Sequence, residues 1–445
     1  MPFFNNNKKD DNKVSAEVSS PARVQKLGVL AQKTGLMTED QIQKVLSIQK
    51  NDSDDLFGAI AVKENFLTID DLESLLELQS RGIGIDDGSN RTDTSIVNME
   101  NISRDFFGPL IPYIYNDDIT DIDFNGKDLW IAYSDGHREK TDTTLDEKFV
   151  KQFTSKIANS VNEQFNKAHP SLEAEAKTID YENNNKEISL RISVLSEIAS
   201  ITGRTINIRK TPLFTRITVD GGIKDKYFTL DEAAFLTNSV KAHMNIIICG
   251  EPGTGKTELS KWLSMSIPDN ERVITIEDNL EWHYEKLKPN ADCTAIKTYD
   301  EFNTSAAIKH CLRSNPKWLM VAEIRDMDAY DFIKGLSTGV NGITSIHCDN
   351  THKIPDRILN MTKDPYIKED VYNFVNVAVL VDRKLNNDGT VTRYIAQISV
   401  FHDNDVIDIF KDGVNKTKQI PNEMAEKFYK YHIDNPFRME GTDIQ

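Results

Sequence analysis

Residues 250–257 read GEPGTGKT and satisfy the spacing G-x-x-x-x-G-K-[ST], which is typical of loops that bind nucleotide phosphates. An apolar strand pattern, NIIIC, precedes the loop, and a helical pattern, ELSKWLSM, follows it. Glycines let successive backbone N–H groups curve around phosphate oxygens, and the N-terminus of the following helix adds a partial positive charge. A glycine-rich turn without a ligand is the simpler alternative, which the flanking strand and helix disfavour.

The loop predicts a site for ATP with Mg²⁺. Lys256 is placed to reach the β- and γ-phosphates, and the hydroxyl of Thr257 is placed to bind Mg²⁺. The residues assigned to nucleotide binding are Gly250, Glu251, Pro252, Gly253, Thr254, Gly255, Lys256, Thr257, Glu258 and Asp278.

Acids follow two other apolar strand patterns. VITIED ends with Glu277 and Asp278, and WLMVAE ends with Glu323. Because ligands of parallel sheets bind beyond the carboxyl ends of the strands, we expect these acids to face the loop. One carboxylate would orient or deprotonate the attacking water, and Glu323 would also hold Mg²⁺ together with Thr257. The alternative is that these acids only cap the helices that follow their strands.

His347 ends a further strand pattern, GITSIH. A lone histidine is often a structural residue, but its position on the expected ligand side favours contact with the γ-phosphate. The neighbouring Cys348 is better explained as a small packed thiol, because no nearby group would activate it.

The elements that must position these residues are short apolar strands separated by helices, from about residue 228 onward. This pattern predicts a mostly parallel sheet covered on both faces. Residues 105–212 mix strand-like segments with one helix and predict an α+β domain. The predicted organisation is a disordered tail at 1–22, a helical repeat module at 23–82, a linker at 83–104, an α+β domain at 105–225, a P-loop domain at 226–412 and a polar tail at 413–445.

An internal repeat occupies the helical module. GVLAQKTGLMTEDQIQKVLSIQ at 28–49 aligns with GAIAVKENFLTIDDLESLLELQ at 58–79 at a constant offset. In each copy a threonine, Thr38 or Thr68, is placed to cap a helix, and apolar residues follow at helical spacing. Each copy therefore predicts a short helix, a turn and a longer amphipathic helix.

Composition narrows the function classes. The net charge of −17 disfavours a non-specific binder of duplex DNA, which needs clustered Lys and Arg. The N-terminus lacks the apolar segment of a signal peptide, and no apolar run is long enough to span a bilayer. We therefore expect a cytoplasmic protein with any membrane association peripheral. Reduced thiols are expected at Cys249, Cys293, Cys311 and Cys348, since no two form a CxxC pair.

The order of the motifs resembles that of the secretion ATPase superfamily, whose hexameric motors power type II and type IV secretion, conjugation and type IV pilus assembly. The motifs are, in order, the P-loop, TIEDNLEW, NPKWLMVAEIRD and STGVNGITSIHCDN. In that family the third motif carries a glutamate at the position where nucleotide triphosphatases most often have an aspartate, and Glu323 occupies that position here. The sequences of these motifs are most similar to those of the conjugation, type IV secretion and tight-adherence pilus branch. Ala322 in place of a usual glycine and HCDN in place of HAN are small departures.

The resemblance implies an α/β chain with a RecA-like P-loop ATPase domain, preceded by an α+β domain and a small helical domain. RISVLSEIASITGRTINIRK resembles the family segment that carries arginines toward nucleotide. On that basis Arg191 and Arg209 join Glu277, Glu323 and His347 as catalytic residues, and Arg204 is a weaker candidate. The implied partners are five further copies in a homo-hexamer and inner-membrane platform or secretion-channel proteins, with no sequence-specific contact to nucleic acid.

The repeat resembles the N-terminal module of type II secretion and pilus-assembly ATPases, which in some relatives binds a cyclic dinucleotide through an Arg-Leu-Gly start. Here the copies start Lys26-Leu27-Gly28 and Leu56-Phe57-Gly58, so docking to a platform protein is the favoured role. For the whole chain, the alternatives are a ring-forming nucleic-acid motor and a nucleotide-binding scaffold without turnover.

Overall fold

The structure is a computed structural model that describes residues 27–51, 57–80, 99–161 and 163–439. The chain divides into two compact units, Met1–Ser95 and Ile96–Gln445. The predicted tail at 1–22 and most of the predicted linker at 83–104 lie outside the described residues. Within the described ranges, no helix is long and apolar enough to cross a membrane.

The first unit contains the repeat as two helix–turn–helix copies. The N–H of Thr38 donates to Oε1 of Gln41 at 2.8 Å, and the N–H of Gln41 donates to the Thr38 hydroxyl at 3.4 Å. Thr68 and Asp71 exchange the same two bonds at 2.9 and 3.1 Å, so both threonines cap helices as predicted. The four helices share one core that includes Leu75. They are α1 (Leu27–Lys33), α2 (Glu39–Asn51), α3 (Phe57–Lys63) and α4 (Ile69–Ser80).

The second unit begins with a seven-stranded sheet in the order β1-β5-β6-β7-β2-β3-β4. Neighbouring strands are antiparallel except β1 and β5. Side chains of α6, such as Phe153 and Ile157, share a core with one face of the sheet, and the other face is polar. The elements are β1 (Met99–Ile102), α5 (Ile111–Ile114), β2 (Ile119–Phe124), β3 (Leu129–Tyr133), β4 (Arg138–Lys140), α6 (Glu147–Ser160), β5 (Ser171–Asp180), β6 (Lys186–Leu195) and β7 (Thr205–Thr211).

Strands β1, β4 and β5 of this sheet have no counterpart in the sequence prediction. Residues 99–102, at the end of the predicted linker, form β1 and pair with β5. Strand β5 reads SLEAEAKTID, and its alanines and glutamates are weak strand formers, so its sequence gives little sign of a strand. Pairing with β6 along its whole length supplies what the local sequence lacks.

A nine-stranded sheet follows in the order β10-β9-β11-β12-β8-β13-β14-β15-β16. The first six strands are mutually parallel, and the last three are antiparallel. Ile246 and Ile248 of β8 belong to one core, and Ile247 and Cys249 belong to another, so both faces of the sheet are covered as predicted. The strands are β8 (Ile246–Cys249), β9 (Val273–Glu277), β10 (Cys293–Lys297), β11 (Trp318–Val321), β12 (Asn341–Ile346), β13 (Val377–Leu385), β14 (Val391–His402), β15 (Asp405–Lys411) and β16 (Val414–Asn415).

Helices connect and cover these strands. They are α7 (Val219–Lys224), α8 (Leu230–Lys241), α9 (Lys256–Ser264), α10 (Tyr284–Leu287), α11 (Thr304–Cys311), α12 (Asp326–Leu336), α13 (Ile354–Thr362), α14 (Ile367–Phe374) and α15 (Asn422–Lys430). Short 3-10 helices lie at Arg104–Leu110 and Thr351–Lys353. Strand β10 and the antiparallel strands after β13 have no counterpart in the sequence prediction. Because both sheets belong to one compact unit, the boundary at 225/226 stays a prediction.

The predicted polar tail at 413–445 is ordered over its described part, residues 413–439. Phe428 of α15 is buried in the core of the nine-stranded sheet. The ring of Phe437 stacks on Phe235, with centroids 5.4 Å apart. The side-chain amide of Asn238 donates to the main-chain carbonyls of Pro436 and Arg438 at 3.0 and 2.9 Å. These few apolar side chains are separated by polar residues, so the pattern is too sparse to predict a packed helix from the sequence.

Candidate nucleotide-binding site

The P-loop leaves the carboxyl end of β8 and enters α9. All four residues of β8 are fully buried, which fixes where the loop begins. Gly250, Gly253 and Gly255 have φ values of 152°, 78° and 97°, which residues with a Cβ rarely adopt. A Cβ at Gly250 would also lie 2.3 Å from the carbonyl oxygen of Val381 on β13. The loop therefore has the glycine-dependent curve that a phosphate cradle requires.

Lys256, the first residue of α9, folds its side chain back across the loop. Its ammonium donates to the carbonyl oxygens of Gly250 and Glu251 at 2.9 and 3.1 Å. The same Nζ lies 3.1 Å from Nδ1 of His347 at the end of β12. Burial lowers the pKa of Lys256, and the charge of Glu323 opposes that shift. Within the described ranges these carbonyls and the imidazole are the hydrogen-bond partners of the ammonium, which is therefore suited to accept a phosphate as its counter-ion.

Three residues at the ends of neighbouring strands, His347, Glu323 and Asp278, meet beside this lysine. Nε2 of His347 lies 2.9 Å from Oε1 of Glu323, which follows β11. The guanidinium of Arg325 donates to Oε2 of Glu323 at 2.6 Å and lies 3.6 Å from Asp278, which follows β9. The structure thus brings together Lys256, His347, Glu323 and Asp278, as expected for carboxyl ends of neighbouring parallel strands. Arg325 is an addition, and its only sequence signal is its position two residues after Glu323.

Glu277 has a different environment from Glu323. It is 3% exposed, and its Oε1 accepts the N–H groups of Glu281 and Trp282 at 3.1 and 3.0 Å. Burial raises the pKa of Glu277 to about 8, although those two N–H bonds oppose the shift. The side chain therefore fixes the loop after β9, and its raised pKa is near the range that suits a general base at neutral pH.

Glu281 is a candidate that the strand-end argument missed. Its Oε2 accepts a hydrogen bond from the hydroxyl of Thr257 at 3.3 Å. It lies four residues beyond the end of β9, so an argument from strand ends passes over it. The signal that could have found it is the third acid inside TIEDNLEW.

The carboxylate next to Thr257 bears on the Mg²⁺ prediction. Among the described residues, no three His, Cys, Asp or Glu side chains cluster as a metal site. Mg²⁺ in nucleotide sites is commonly held by one or two protein side chains together with the phosphates themselves. Thr257 and Glu281 fit that donor set by contact, whereas Glu323 is engaged with His347 and Arg325. The assignment of Glu323 to Mg²⁺ stays a prediction.

The remaining loop residues shape the cradle. The hydroxyl of Thr254 donates to the carbonyl of Glu251 at 2.9 Å and closes the turn. Oε2 of Glu258, in the first turn of α9, accepts the N–H of Arg216 at 3.1 Å. Pro252 lies in the turn that the contact between Glu251 and Thr254 closes.

Arg191 and Arg209 lie side by side on the polar face of the seven-stranded sheet. They are directly opposite partners of β6 and β7, in a row that continues to Glu175 on β5 and Asp121 on β2. Nε of Arg209 donates to Asp121 at 2.8 Å, whereas the one ion pair of Arg191 among the described residues is with Glu173, at 3.5 Å. Like charges directly opposite in a sheet are unfavourable, so the pair is suited to an anion that lies across it.

The third arginine of the segment differs from these two. Arg204 makes two bonds to the carboxylate of Glu197, at 2.8 and 3.1 Å, and one to the hydroxyl of Thr154 at 2.7 Å. Its guanidinium also lies 5.1 Å from the ring centroid of Phe165. These contacts make Arg204 a salt-bridged structural residue, in line with its place as the weaker candidate.

A cleft with about 540 Å³ of open space separates the polar face from the loop after β9. Arg191 and Asn279 line it from opposite sides. Burial lowers the pKa of His283, also on the cleft wall, to about 3, so this imidazole is neutral. An ion pair of 2.5 Å between Lys297 and Glu175 joins the two sheets beside the cleft. Among described contacts, neither Arg191 nor Arg209 bonds to a residue of the P-loop.

The fold and the site together define a P-loop protein with a parallel sheet of the RecA type. The family described as type II/IV secretion system protein matches residues 143–399, which is more than half of the chain. The chain belongs to this family, and the predicted resemblance and fold class are confirmed.

Individual relatives share parts of the chain. An uncharacterized protein of Bacillus anthracis is 28% identical over 308 residues, which are 63% of this chain and 64% of that protein. The type IV secretion system protein VirB11 of Brucella suis is 33% identical over 187 residues, 38% of this chain and 50% of that protein. The chain thus spans less than two thirds of these relatives. The X-ray structure of the Legionella pneumophila ATPase DotB has a TM-score of 0.53 at 15% identity, covering 75% of this chain and 89% of that one, and shows a shared fold.

Proposed function

We propose that this protein hydrolyses ATP to power a secretion, conjugation or pilus-assembly machine. One observation carries the proposal: Lys256, His347 and Glu323 form a continuous row of contacts of 3.1 and 2.9 Å beside the P-loop. A cation, an imidazole and a carboxylate in that order can bind a terminal phosphate, sense its presence and act on the water that attacks it. Membership of the type II/IV secretion family supports the link to secretion.

In this proposal the P-loop N–H groups and Lys256 bind the β- and γ-phosphates. His347 contacts the γ-phosphate and couples it to Glu323, which orients or deprotonates the attacking water. Glu277 keeps the loop after β9 in place and is a second candidate for the base. Bound Mg²⁺ neutralises phosphate charge, and the groups that would hold it are Thr257 with Glu281 or Glu323.

Arg191 and Arg209 would stabilise the charge that develops during phosphate transfer. Because they belong to the α+β sheet and the P-loop belongs to the other, a nucleotide that contacts both would draw the two sheets together. An arginine that completes such a site can come from the same chain or from a neighbouring one, and the resemblance to hexameric secretion motors favours assembly. We therefore propose a homo-hexamer.

The family also suggests where the motor works. We propose that it acts at the cytoplasmic face of the membrane, held there by platform or secretion-channel proteins. The repeat module of α1–α4 would dock to such a platform protein rather than bind a cyclic dinucleotide, since Lys26 and Leu56 stand where an arginine would be needed.

ATP turnover per subunit, measured against protein concentration, tests the proposal. The wild type should show turnover that rises cooperatively with concentration, because assembly would complete the sites. Lys256→Ala should lose it by about 10²-fold or more, because the terminal phosphate loses its cation. Lys368→Ala removes an exposed lysine paired with Asp356 and should leave turnover unchanged.

If the protein binds ATP but shows no Lys256-dependent turnover at any concentration, the result would favour a nucleotide-binding scaffold and contradict the proposal. Turnover per subunit that does not change with protein concentration would contradict the proposed hexamer, but the proposed ATP hydrolysis would stand.

A further inference from the structure

The hairpin of β13 and β14 brings two arginines against the P-loop. Arg383 and Arg393 are directly opposite partners in this hairpin. Nε of Arg393 donates to the carbonyl oxygen of Gly253 at 3.0 Å, and its Cδ lies 3.4 Å from the Cβ position of Gly255. Nη1 of Arg383 lies 3.3 Å from the Cβ position of Gly253. A Cβ at either glycine would be in van der Waals contact with these arginines, so the hairpin packs directly on the loop.

The same side chain reaches the seven-stranded sheet. Nη1 of Arg393 donates to the carbonyl oxygen of Ser134, in the turn between β3 and β4, at 2.6 Å. Next to it, the N–H of Val391 donates to the carbonyl of Asp135 at 2.7 Å. A Cβ at Gly136 would lie 2.6 Å from Cγ2 of Val391, which shows how closely the hairpin fits this turn.

The charge of Arg393 has no carboxylate partner within 4 Å among the described residues. Its hydrogen bonds go to two main-chain carbonyls, and burial together with the nearby Arg383 lowers its pKa. A half-buried guanidinium with only carbonyl partners is costly to keep, and a polyanion in the P-loop would offset that cost. Arginine, with donors on both Nε and Nη1, can hold two acceptors in fixed directions at once.

The contact at Gly253 is one of the restraints on the shape of the loop. A peptide group is planar, so fixing the carbonyl of Gly253 also fixes the N–H of Thr254. Gly253 has a φ of 78° and no side chain, and the other restraint on this peptide is a long hydrogen bond of 3.4 Å from the N–H of Thr254 to the carbonyl of Glu251. A rotated peptide would spoil the arrangement of N–H groups on which phosphate binding depends.

We propose that Arg393 is a positioning residue that holds the P-loop in its binding conformation and ties it to the turn between β3 and β4. Nucleotide affinity would then depend on the contact between the β13–β14 hairpin and the turn between β3 and β4, which joins the two sheets away from the loop after β9. This inference rests on the proposed nucleotide binding.

The experiment measures the Kd of full-length protein for MgADP, with KM and kcat for ATP. Arg393→Gln should raise Kd and KM by about tenfold, because a hydrogen bond from a charged group is lost. At saturating ATP its kcat should stay within about twofold of wild type, because the lost binding is the same in ground and transition states. Arg393→Lys keeps one contact and should fall between. Lys384→Gln is the matched control, since it removes a neighbouring cation of β13 whose side chain points to the opposite face.

A second variant tests the tie between the sheets. Val391→Ala loosens the fit against Gly136 without touching the P-loop. It should raise Kd by about twofold to threefold in the wild-type background and leave Kd unchanged in Arg393→Gln, because the path is already broken.

Each outcome decides the matter. Equal Kd values for wild type and Arg393→Gln would overturn the inference, and so would a lower melting temperature and lower kcat with Kd unchanged, which is the result of a structural role alone. If Arg393→Gln does not fold, an unchanged Kd in Arg393→Lys overturns it. A wild type that binds no MgADP would remove the proposed function itself, which distinguishes that failure from the others.

Discussion

The two sheets of the second unit place their charged side chains in different ways. In the nine-stranded sheet, the strands nearest the P-loop, such as β8 and β11, are buried on both faces, and the charged groups beside them lie at or just beyond the strand ends. In the seven-stranded sheet, one face packs on α6 and the other is open, so charges occur in the middle of strands. Arg191, for example, is the sixth residue of β6.

This difference changes how the charges are balanced. At the strand ends, the ammonium of Lys256 contacts the imidazole of His347, which contacts the carboxylate of Glu323, and this carboxylate also contacts the guanidinium of Arg325. Each side chain therefore has a complementary neighbour. On the open face Arg191 and Arg209 are neighbours of like charge, and acids flank them only on the outside. Glu323, His347 and Arg325 have complementary neighbours without ligand, whereas the pair of Arg191 and Arg209 becomes favourable when an anion lies across it.

The largest effect expected from this comparison is on Glu323. Glu323→Gln keeps the shape of the side chain but removes the carboxylate that contacts His347 and Arg325. Turnover should fall by about 10²–10⁴-fold, as general-base contributions do, whereas the Kd for ATP should change little. Single-turnover kinetics and equilibrium binding measure the two quantities separately.

Asp356→Asn is a suitable control, because Asp356 is an exposed acid that pairs with Lys368. Wild-type turnover in Glu323→Gln, with the control also active, would show that the strand-end row is a structural network. The contrast between the two sheets would then have no catalytic meaning.

The same contrast explains which parts of the site could be predicted from the sequence. Glu277, Asp278, Glu323 and His347 each end an apolar run, so their convergence follows from the geometry of parallel strands. Nothing local distinguishes Arg191 from other mid-strand arginines, and only the resemblance to a family singled it out.

The residues that the sequence prediction missed fall into two physical groups. Glu281 and Arg325 lie in loops beyond the strand ends, where direction depends on tertiary contacts. Arg393 lies on a hairpin far along the chain and reaches the P-loop only through sheet pairing. The missed strand β5 and helix α15 likewise depend on long-range partners rather than on local pattern.

The next effect concerns the pH dependence of stability. Burial raises the pKa of Glu277 to about 8, above its value in the unfolded chain. Below the unfolded pKa both states are protonated, and as the pH rises toward about 8 only the folded state must hold the proton. The stability that this group contributes is therefore present in acid and lost as the pH rises through its folded pKa.

Glu277→Gln should remove that dependence. Urea unfolding between pH 5 and pH 8 should show wild-type stability falling relative to the variant by on the order of a few kcal/mol. Glu173→Gln, an exposed acid on the other sheet, should keep the wild-type trend. Parallel pH curves for wild type and Glu277→Gln would mean that the carboxylate is already ionised in the folded protein.

The smallest effect is the repulsion between Arg191 and Arg209. A double-mutant cycle with Arg191→Gln and Arg209→Gln should give an unfavourable coupling of about 0.5 kcal/mol at low salt, because the residues are directly opposite partners. High salt should reduce it toward zero. The pair Arg138 and Asp123, 2.8 Å apart on the same face, should give a coupling of the opposite sign. Urea unfolding of the four proteins of each cycle measures both values. A zero or favourable coupling between the arginines at low salt would mean that the flanking acids already neutralise them, and the open face would then be as balanced without ligand as the strand ends are.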